Sequence, residues 1–494
     1  MLLAASTQRT IGLVILAIVF IGGLVYIYFN IRSARDEIGS EIELAANRRP
    51  YMDDDQLETK RLDLALGTSL VLLTITAITL PLYWLGEPGR HEGRDIDTDR
   101  ISTNRGEEIY VEGAQCVACH GSEGSGGAVS TAITTEDGAF LAQVSWKAPA
   151  LNTLLSRFTE NEVIHTLNFG RNGVMPAWGG GGGGPLTDQQ LEEIVYYIRS
   201  IQIDEDQINI EVADGVRDGV ETKLRAESGA DWANELRAVN EAKDATARDV
   251  TLASREIFGF DCTEQTDDPR CAADNDAAQA LLAAETQHAD ALNSAVASWL
   301  FDVDAVRQRA MDAALAANSA LDDEGNEEDW RFATLELLST PGEIEGQDLY
   351  LEYGEILFTN TAAAGTYSCA RCHTYGWSFD ATGPYSLELH GTDDPILEDY
   401  TQGGGYFGPN LRGGTTLEQF ESAASHADFI AKGQTMGATY GRGGSGGNGQ
   451  MPGFGPNTDS SPVGPTIGTG DEFSYPALLT DEQIDAIVAF ERNL

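Results

Sequence analysis

The pattern Cys-x-x-Cys-His occurs twice in the chain and constrains its fold more than any other feature. The residues are Cys116, Cys119 and His120 in QCVACHG, and Cys369, Cys372 and His373 in SCARCHT. This spacing is typical of the covalent attachment of c-type haem. Each thiol adds to one vinyl group of the porphyrin, and the adjacent histidine is held beneath the iron as an axial ligand. The sequence therefore predicts two covalently bound haem c groups.

Two other kinds of site use closely spaced cysteines. A zinc site requires further ligands nearby, and the flanking sequence supplies no second cysteine pair. A redox-active Cys-x-x-Cys does not require the histidine. The recurrence of the complete pattern favours haem over both.

Two long apolar runs near the N terminus predict membrane-spanning helices. Residues 11–29 contain no charge, and residues 64–85 form a second apolar run. At ~1.5 Å per residue, each run covers roughly the ~30 Å hydrocarbon core of a bilayer. A cleaved signal peptide is the alternative for the first run, but only Arg9 precedes it as a basic flank. Buried helices of a soluble protein are the alternative for both. We expect residues 1–90 to be a membrane anchor.

The charges that flank these runs predict the orientation of the chain. The intervening loop contains six basic residues, Arg32, Arg35, Arg48, Arg49, Lys60 and Arg61. Short basic loops stay cytoplasmic, which places both termini outside. Four arginines that follow the second run, between residues 90 and 105, weaken this asymmetry. We expect the residues beyond about 90 to form one large exported region.

More than the pentapeptide is repeated. TDQQLEEIVYYIRS closes the first repeat, and TDEQIDAIVAFERN closes the second repeat near the end of the chain. Both stretches have amphipathic spacing, and Thr187 or Thr480 is placed to cap the helix. Each cysteine motif is also preceded by a short helical pattern, with Gly106 in the first repeat and Gly354 in the second. A glycine at each position predicts a close crossing of the first and last helices.

An aromatic residue follows each glycine by one helical turn. Tyr110 follows Gly106, and Phe358 follows Gly354. We expect these rings to pack against Tyr197 and Phe490 on the closing helices.

Together these features resemble class I cytochrome c, over most of residues 101–202 and 345–494. The resemblance implies a methionine as the sixth iron ligand, and the matching residues are Met175 in NGVMPAW and Met451 in GQMPGFG. It also implies that Pro149 and Pro409 lie where the outer nitrogen of the haem histidine is oriented. Met436 is an alternative to Met451. His390 and His426 are weaker alternatives for the second iron, and His165 falls on a helical pattern typical of a surface or packing residue.

Residues 203–344 match neither repeat. They are acidic and rich in alanine, and the spacing of Leu292, Val296, Trp299, Leu300 and Val303 predicts amphipathic helices, either as a linker or as an inserted domain. Two further cysteines, Cys262 and Cys271, lie here. In an exported region they are expected to form a short-loop disulfide, with free thiols as the alternative. The segment contains no catalytic constellation.

The charge balance excludes one class of partner. The chain has 78 acidic and 31 basic residues, a formal net charge of −47. A field of this sign repels phosphate backbones, so we expect no nucleic-acid partner. It attracts basic proteins. Adaptation to a salty medium or simple solubility explains the same composition.

The predicted fold is mainly α, with two transmembrane helices, two class I cytochrome c domains and a helical acidic segment between them. Haem c with histidine and methionine ligands has no open coordination position, so it transfers single electrons without a substrate site of its own. The resemblance implies a bacterial cell membrane protein, with its haem domains on the outer face. It would relay electrons between a quinol–cytochrome c reductase and a terminal oxidase. Its partners would be the membrane and either other respiratory subunits or a small electron carrier. A dihaem peroxidase, in which one haem is open to substrate, is the alternative.

Overall fold

The computed structural model describes residues 7–35, 53, 55–134, 140–171, 174–226, 231–256, 269–317, 327–359, 368–378, 402–434, 439–447, 450–455, 457–460 and 473–494. The chain divides into two compact bodies. The N-terminal body is Met1–Thr98, and the main body, Asp99–Leu494, contains both cysteine motifs. Below, residues 101–202 are called the first repeat and residues 345–494 the second repeat.

The described residues are mainly helical, as the sequence predicts. The helices are α1 (Thr7–Arg35), α2 (Leu62–Glu108), α3 (Val117–His120), α4 (Glu160–Phe169), α5 (Asp188–Ser200), α6 (Glu205–Ala226), α7 (Asp231–Glu256), α8 (Pro269–Ala317), α9 (Glu327–Ser339), α10 (Gln347–Thr359), α11 (Ala370–His373), α12 (Thr415–Gln419), α13 (Ala423–Lys432) and α14 (Asp481–Arg492). The strands are β1 (Gly127–Thr134), β2 (Phe140–Ala148), β3 (Thr439–Tyr440), β4 (Ser445–Gly446), β5 (Asn457–Ser460) and β6 (Phe473–Tyr475). The strands pair antiparallel as β1 with β2, β3 with β4 and β5 with β6, giving three two-stranded sheets among the described residues.

One helical stretch in the described part of the N-terminal body is long and apolar enough to cross a membrane. It runs over Thr59–Glu87, with a mean hydropathy of 1.9 and none of its most apolar window buried. Because apolar side chains are stable only away from water, this exposed surface supports the second predicted span. In α1, the described apolar stretch is the shorter Ala17–Arg32, and the first span therefore stays a prediction.

Both repeats contain the predicted close crossing between an opening and a closing helix. The opening helices are α2 and α10, and the closing helices are α5 and α14. A Cβ atom on Gly106 would lie 1.9 Å from the backbone oxygen of Glu193, and one on Gly354 would lie 2.1 Å from that of Ala486. Such distances leave room only for hydrogen. Glycine therefore allows backbone to meet backbone at the same place in each repeat.

The aromatic residues one turn further on pack across the same crossings. The ring centroids of Tyr110 and Tyr197 are 5.0 Å apart, and those of Phe358 and Phe490 are 5.4 Å apart. Both separations are within the range of favourable aromatic pairs. The pairing predicted from sequence is confirmed in both repeats.

The closing helices begin where the sequence predicts. Thr187 accepts a hydrogen bond from the backbone of Gln190, and Gln190 reaches back to the backbone of Thr187. Thr480 and Gln483 form the same reciprocal capping box. These bonds satisfy N–H groups that the first turn of a helix leaves without partners, which anchors each closing helix at its start.

The helices of residues 203–344 share a hydrophobic core with the second repeat. Trp299 of α8 is fully buried, and Val296 and Val303 lie beside it in the same core as Tyr350, Phe358 and Ile487. The predicted amphipathic stripe on α8 is thus confirmed. On α9, the guanidinium of Arg331 donates two hydrogen bonds of 2.7 Å to the carboxylate of Asp485 on α14. Packing and ion pairing therefore join these helices to the second repeat.

The run of six glycines at 179–184 has the composition of a flexible connector, but the structure shows an ordered turn. It forms a short 3-10 turn at Gly180–Gly182 whose backbone packs on α4. A Cβ atom on Gly179 would lie 2.0 Å from the side-chain oxygen of Asn168, and one on Gly182 would lie 2.1 Å from its backbone oxygen. The run is a tightly packed turn because glycine alone fits against this helix end.

We expect Gly106→Ala and Gly354→Ala each to destabilise the main body, by about 1–3 kcal/mol, because the added methyl group forces the crossing helices apart. Thermal unfolding followed by circular dichroism measures the loss. Gly113→Ala is the matched control, since a Cβ atom there meets its nearest neighbour at 3.6 Å, an ordinary contact. Equal unfolding midpoints in all three variants would contradict the role of the crossing.

Candidate functional site

Each Cys-x-x-Cys-His motif folds into a single helical turn. The backbone N–H of His120 donates to the carbonyl oxygen of Cys116 at 2.9 Å, and that of His373 donates to Cys369 at 3.0 Å. Residues three and four positions apart lie on the same face of a helix. Each turn therefore brings two cysteines and the histidine to one side. None of the four motif cysteines is in a disulfide.

A backbone carbonyl oxygen orients each motif histidine. The Nδ1 atom of His120 lies 2.9 Å from the carbonyl oxygen of Pro149, and Nδ1 of His373 lies 2.9 Å from that of Pro409. A carbonyl oxygen can only accept, so Nδ1 carries the proton in both rings. Nε2 is then the nitrogen with a free lone pair, which is the form of histidine that binds iron. The positions that the resemblance implies for Pro149 and Pro409 are those observed.

Burial favours the uncharged forms of His120 and Cys116 in the first motif. It lowers the pKa of His120, although the hydrogen bond to Pro149 acts in the opposite direction. It raises the pKa of Cys116 to about 11, so this thiol is neutral at pH 7. Low polarity favours the uncharged form of both groups. Neutral imidazole and two unbridged thiols are the donor set that covalent haem requires, so the residues present fit the group.

The two predicted methionines lie on loops that are built alike. Each loop follows a capped helix, α4 or α13, which ends at a glycine with positive φ, Gly170 (73°) or Gly433 (70°). The residue after each glycine, Arg171 or Gln434, donates its backbone N–H to the methionine carbonyl oxygen, at 3.1 Å for Met175 and 2.9 Å for Met451. Met175 packs against the core that Cys116 contacts, and Met451 packs against the core that contains Cys369. Their role as iron ligands stays a prediction.

The residues that were alternatives to the predicted iron ligands either have contacts of another kind or lie outside the described residues. His165 lies on the exposed side of α4, with its ring 4.8 Å from that of Phe169, which confirms its prediction as a surface residue. His426 is buried, with Nε2 3.0 Å from a carboxylate oxygen of Glu491 and its ring stacked on Phe420. His390 and Met436 lie outside the described residues. So do Cys262 and the side chain of Cys271, and their disulfide stays a prediction.

The two repeats contact each other directly. Trp146 of β2 packs against Tyr406 and Phe407 of the second repeat, with ring centroids 6.4 and 5.8 Å apart. The backbone N–H of Lys147 donates to the carbonyl oxygen of Ser378 at 2.9 Å. On another face, Tyr475 of β6 is buried in the core of the first repeat. Residues of the hairpin β1–β2 in the first repeat therefore contact residues that follow the cysteine motif of the second repeat.

Sequence reasoning missed the hairpin and the glycines before the methionine loops. The hairpin had a local signal, since GAVSTAIT and FLAQVSWKA are rich in β-branched and aromatic residues. Gly170 and Gly433 also had a signal, because a glycine at the end of a helical pattern is typical of a helix terminus. The contacts between the repeats had no signal in the sequence, since they join residues that are far apart in the chain.

Comparison with known proteins supports the resemblance of the first repeat to cytochrome c. Residues 102–198, within the first repeat, match the family described as cytochrome c oxidase, cbb3-type, subunit III. Two curated relatives from Rhodobacter capsulatus, both named Cbb3-type cytochrome c oxidase subunit CcoP, are 24% and 23% identical over 184 residues. The alignments cover 36% of this chain and 50% of each relative, so the chain spans about half the length of the curated relatives it matches. No solved structure matches significantly. The chain resembles the cytochrome c subunits of bacterial respiratory complexes, as its sequence predicts.

We expect Met175→Ala and Met451→Ala each to remove part of the weak sulfur-to-iron absorption band at the red end of the oxidised spectrum, because each deletes one sulfur ligand. The optical spectrum of the oxidised protein measures the band. Met436→Ala is the control and should leave it intact. If Met451→Ala left the spectrum of the second haem unchanged, that haem would have an open position, and the peroxidase alternative would gain support.

Proposed function

We propose that the chain is a membrane-anchored dihaem c-type cytochrome that relays single electrons in a bacterial respiratory chain. Cys116 and Cys119 would hold one haem, with His120 and Met175 as axial ligands. Cys369 and Cys372 would hold the other, with His373 and Met451. We place it as a subunit between a quinol–cytochrome c reductase and a terminal oxidase. No residue is assigned a catalytic role.

The observation that carries this proposal is the repetition of one local geometry at two sites. In each, a helical turn presents two cysteines and a histidine, and a proline carbonyl oxygen accepts from Nδ1 at 2.9 Å. Each site is then followed by a capped helix, a glycine with positive φ and a methionine loop. The family match in residues 102–198 supports the assignment for the first repeat. The matching geometry extends it to the second.

The residues of the chain have two tasks in this function. When bound, haem supplies an iron that changes by one electron without changing its ligands. The proline carbonyl oxygens hold each histidine ring in a single orientation, so little rearrangement accompanies that change. The helix crossings at Gly106 and Gly354 hold the frame in which each motif lies. Together these constraints suit rapid electron transfer better than the binding of a substrate.

The membrane and the charge of the chain support the proposed setting. The apolar helix over Thr59–Glu87 would anchor the chain, and the basic loop before it would keep the haem repeats on the outer face. The net charge of −47 would attract a basic electron-carrier protein and accelerate its encounter at low salt. The curated relatives are named as subunits of a cbb3-type oxidase, which supports an oxidase as the neighbouring complex.

The haem content tests the proposal. We expect two covalent haems per chain in a pyridine haemochrome assay on denatured protein from cells that mature c-type cytochromes. Replacing Cys116 and Cys119 by alanine should leave one haem, and so should replacing Cys369 and Cys372. Replacing Cys262 and Cys271 by serine is the matched control and should leave two. A native chain with one haem would contradict the dihaem assignment.

Truncation tests the anchor and the partners. We expect a chain that begins at residue 90, exported by a cleavable leader, to be recovered in the soluble periplasmic fraction with both haems, because the apolar helix is absent. The full chain should remain in the membrane fraction and co-purify with respiratory subunits in mild detergent. If the truncated chain were instead recovered in the membrane fraction, another part of the protein would bind the bilayer.

A further inference from the structure

An ionisable pair of side chains is buried inside the second repeat. His426 of α13 and Glu491 of α14 are 2% and 4% exposed. Nε2 of the histidine lies 3.0 Å from a carboxylate oxygen of the glutamate. The ring of Phe420 stacks on that of His426, with the centroids 4.5 Å apart and the planes 7° from parallel. We call His426 and Glu491 the buried pair.

Helix capping shows which residue of the first repeat corresponds to His426. Helices α4 and α13 both follow a capping box, formed at Thr159 and at Ser422, and both are ten residues long and end at a glycine. His426 is the fourth residue after Ser422, and the fourth residue after Thr159 is Val163. The first repeat therefore has an apolar side chain where the second has a histidine.

The closing helices identify the counterpart of Glu491 in the same way. Both α5 and α14 begin directly after a threonine that forms a capping box. Counted from that threonine, Glu491 corresponds to Ile198, and Phe490 corresponds to Tyr197. The second correspondence agrees with the structure, since these two rings make the matching aromatic contacts in the two repeats. The glutamate thus also replaces an apolar residue.

The apolar counterparts lie in the core that lines the first site. Val163 and Ile198 are 4% and 2% exposed, and Cys116 and Met175 pack against the core to which they belong. The second repeat is built alike. Ile430 and Ile487 lie one helical turn from the members of the buried pair, in the core that includes Cys369 and against which Met451 packs. Residues one turn apart share a helix face, so the buried pair is next to the core of the second site.

The histidine of the buried pair can bind one further proton. A carboxylate can only accept a hydrogen bond, so Nε2 of His426 carries a proton when Glu491 is ionised. Nδ1 is buried and has no hydrogen-bond partner among the described residues. A proton on Nδ1 would convert a pair of net charge −1 into a neutral ion pair. An uncompensated charge is unfavourable in an apolar core, so this proton has an electrostatic reason to bind.

Other charged side chains lie on the helices that pack against α13 and α14. Those described are Arg331 and Glu336 of α9, Asp348, Glu352 and Glu355 of α10, Glu418 of α12, Asp428 and Lys432 of α13, and Asp481, Glu482, Asp485 and Arg492 of α14. Asp348, Glu352 and Glu418 are exposed or partly exposed, and each of the others is in an ion pair. Arg492, the neighbour of Glu491, lies 3.5 Å from Glu336, whose side chain is half exposed. The buried pair differs because both of its members are buried and its net charge depends on one histidine proton.

We propose that His426 and Glu491 form a proton-binding site that is linked to the redox state of the second haem. This inference rests on the proposed dihaem function. Nδ1 of His426 takes one proton from water as the second haem accepts one electron from its donor, and releases it as that electron leaves. The electron removes one positive charge from the core beside the pair, so the proton is bound more tightly in the reduced protein. Val163 and Ile198 give the first haem no equivalent site.

The dependence of potential on pH tests the proposal. Below the range in which the buried pair titrates, both redox states hold the proton, and above that range neither does. Between these limits a rising pH removes a proton that favours reduction, so the midpoint potential of the second haem should fall. We expect this fall between about pH 5 and pH 8, where histidine ordinarily titrates. Spectroelectrochemical titration of the full chain measures it, and Met175→His assigns the two potentials by lowering that of the first haem.

A double variant that copies the first repeat should abolish the effect. In His426→Val with Glu491→Ile, we expect the second haem to lose the part of its pH dependence that the buried pair supplies, while the pH dependence of the first haem stays as in the wild type. Apolar residues often replace a buried ion pair without loss of stability. Reduction in weak buffer with a pH indicator should also show fewer protons taken up per electron than in the wild type. A purely structural role of the pair would not change this proton uptake.

Two single variants complete the test. Glu491→Gln keeps the shape but removes the charge that stabilises imidazolium, so the fall in potential should move to lower pH. Asp428→Asn removes an exposed carboxylate of α13 and should leave the curves unchanged. The proposal is overturned, and the dihaem function stands, if the second haem of the wild type shows no pH dependence, or if the double variant or Glu491→Gln keeps two haems and the wild-type curve. A wild-type chain with fewer than two haems would overturn both.

Discussion

The backbone contact between an opening and a closing helix holds each cysteine motif in its place. At Gly106 and at Gly354 the missing side chain lets a carbonyl oxygen of the closing helix approach the helix axis. The aromatic pairs Tyr110–Tyr197 and Phe358–Phe490 pack one turn further on. Each motif follows its opening helix in the chain, and in the first repeat only residues 109–115 separate the end of α2 from Cys116. The remaining parts of each site, the proline carbonyl and the methionine loop, are then arranged around the helical turn of the motif.

The two repeats differ in what surrounds them. The core of the first repeat receives Tyr475 from the second, and the hairpin β1–β2 brings Trp146 and Lys147 against the second motif. The second repeat shares its own core with helices α6, α8 and α9. One local geometry is therefore used twice with unequal neighbours. If each repeat holds a haem as proposed, this inequality is a physical basis for different reduction potentials at the two sites.

Local signals allowed much of the site to be predicted. Thr187 and Thr480 cap the closing helices because a hydroxyl and a glutamine three residues later are sufficient to form a capping box. The proline carbonyls lie beside the motif histidines where the resemblance implies. Other features had weak or ambiguous signals. The glycine run at 179–184 has the composition of a flexible connector, yet it packs tightly on α4. Its conformation depends on Asn168 and Trp178, and composition does not record such neighbours.

The sequence by itself determined the elements whose causes are local: the motif turns, the apolar helix before the first repeat, the capped closing helices and the amphipathic stripe of α8. Each depends on residues a few positions apart, so spacing and side-chain type are sufficient. Only the tertiary structure decided what lies between the repeats. Trp146 packs against Phe407, which lies about 260 residues further along the chain, and no periodicity links the two. They meet because two folded cores pack together, and that packing depends on shape and burial over the whole main body.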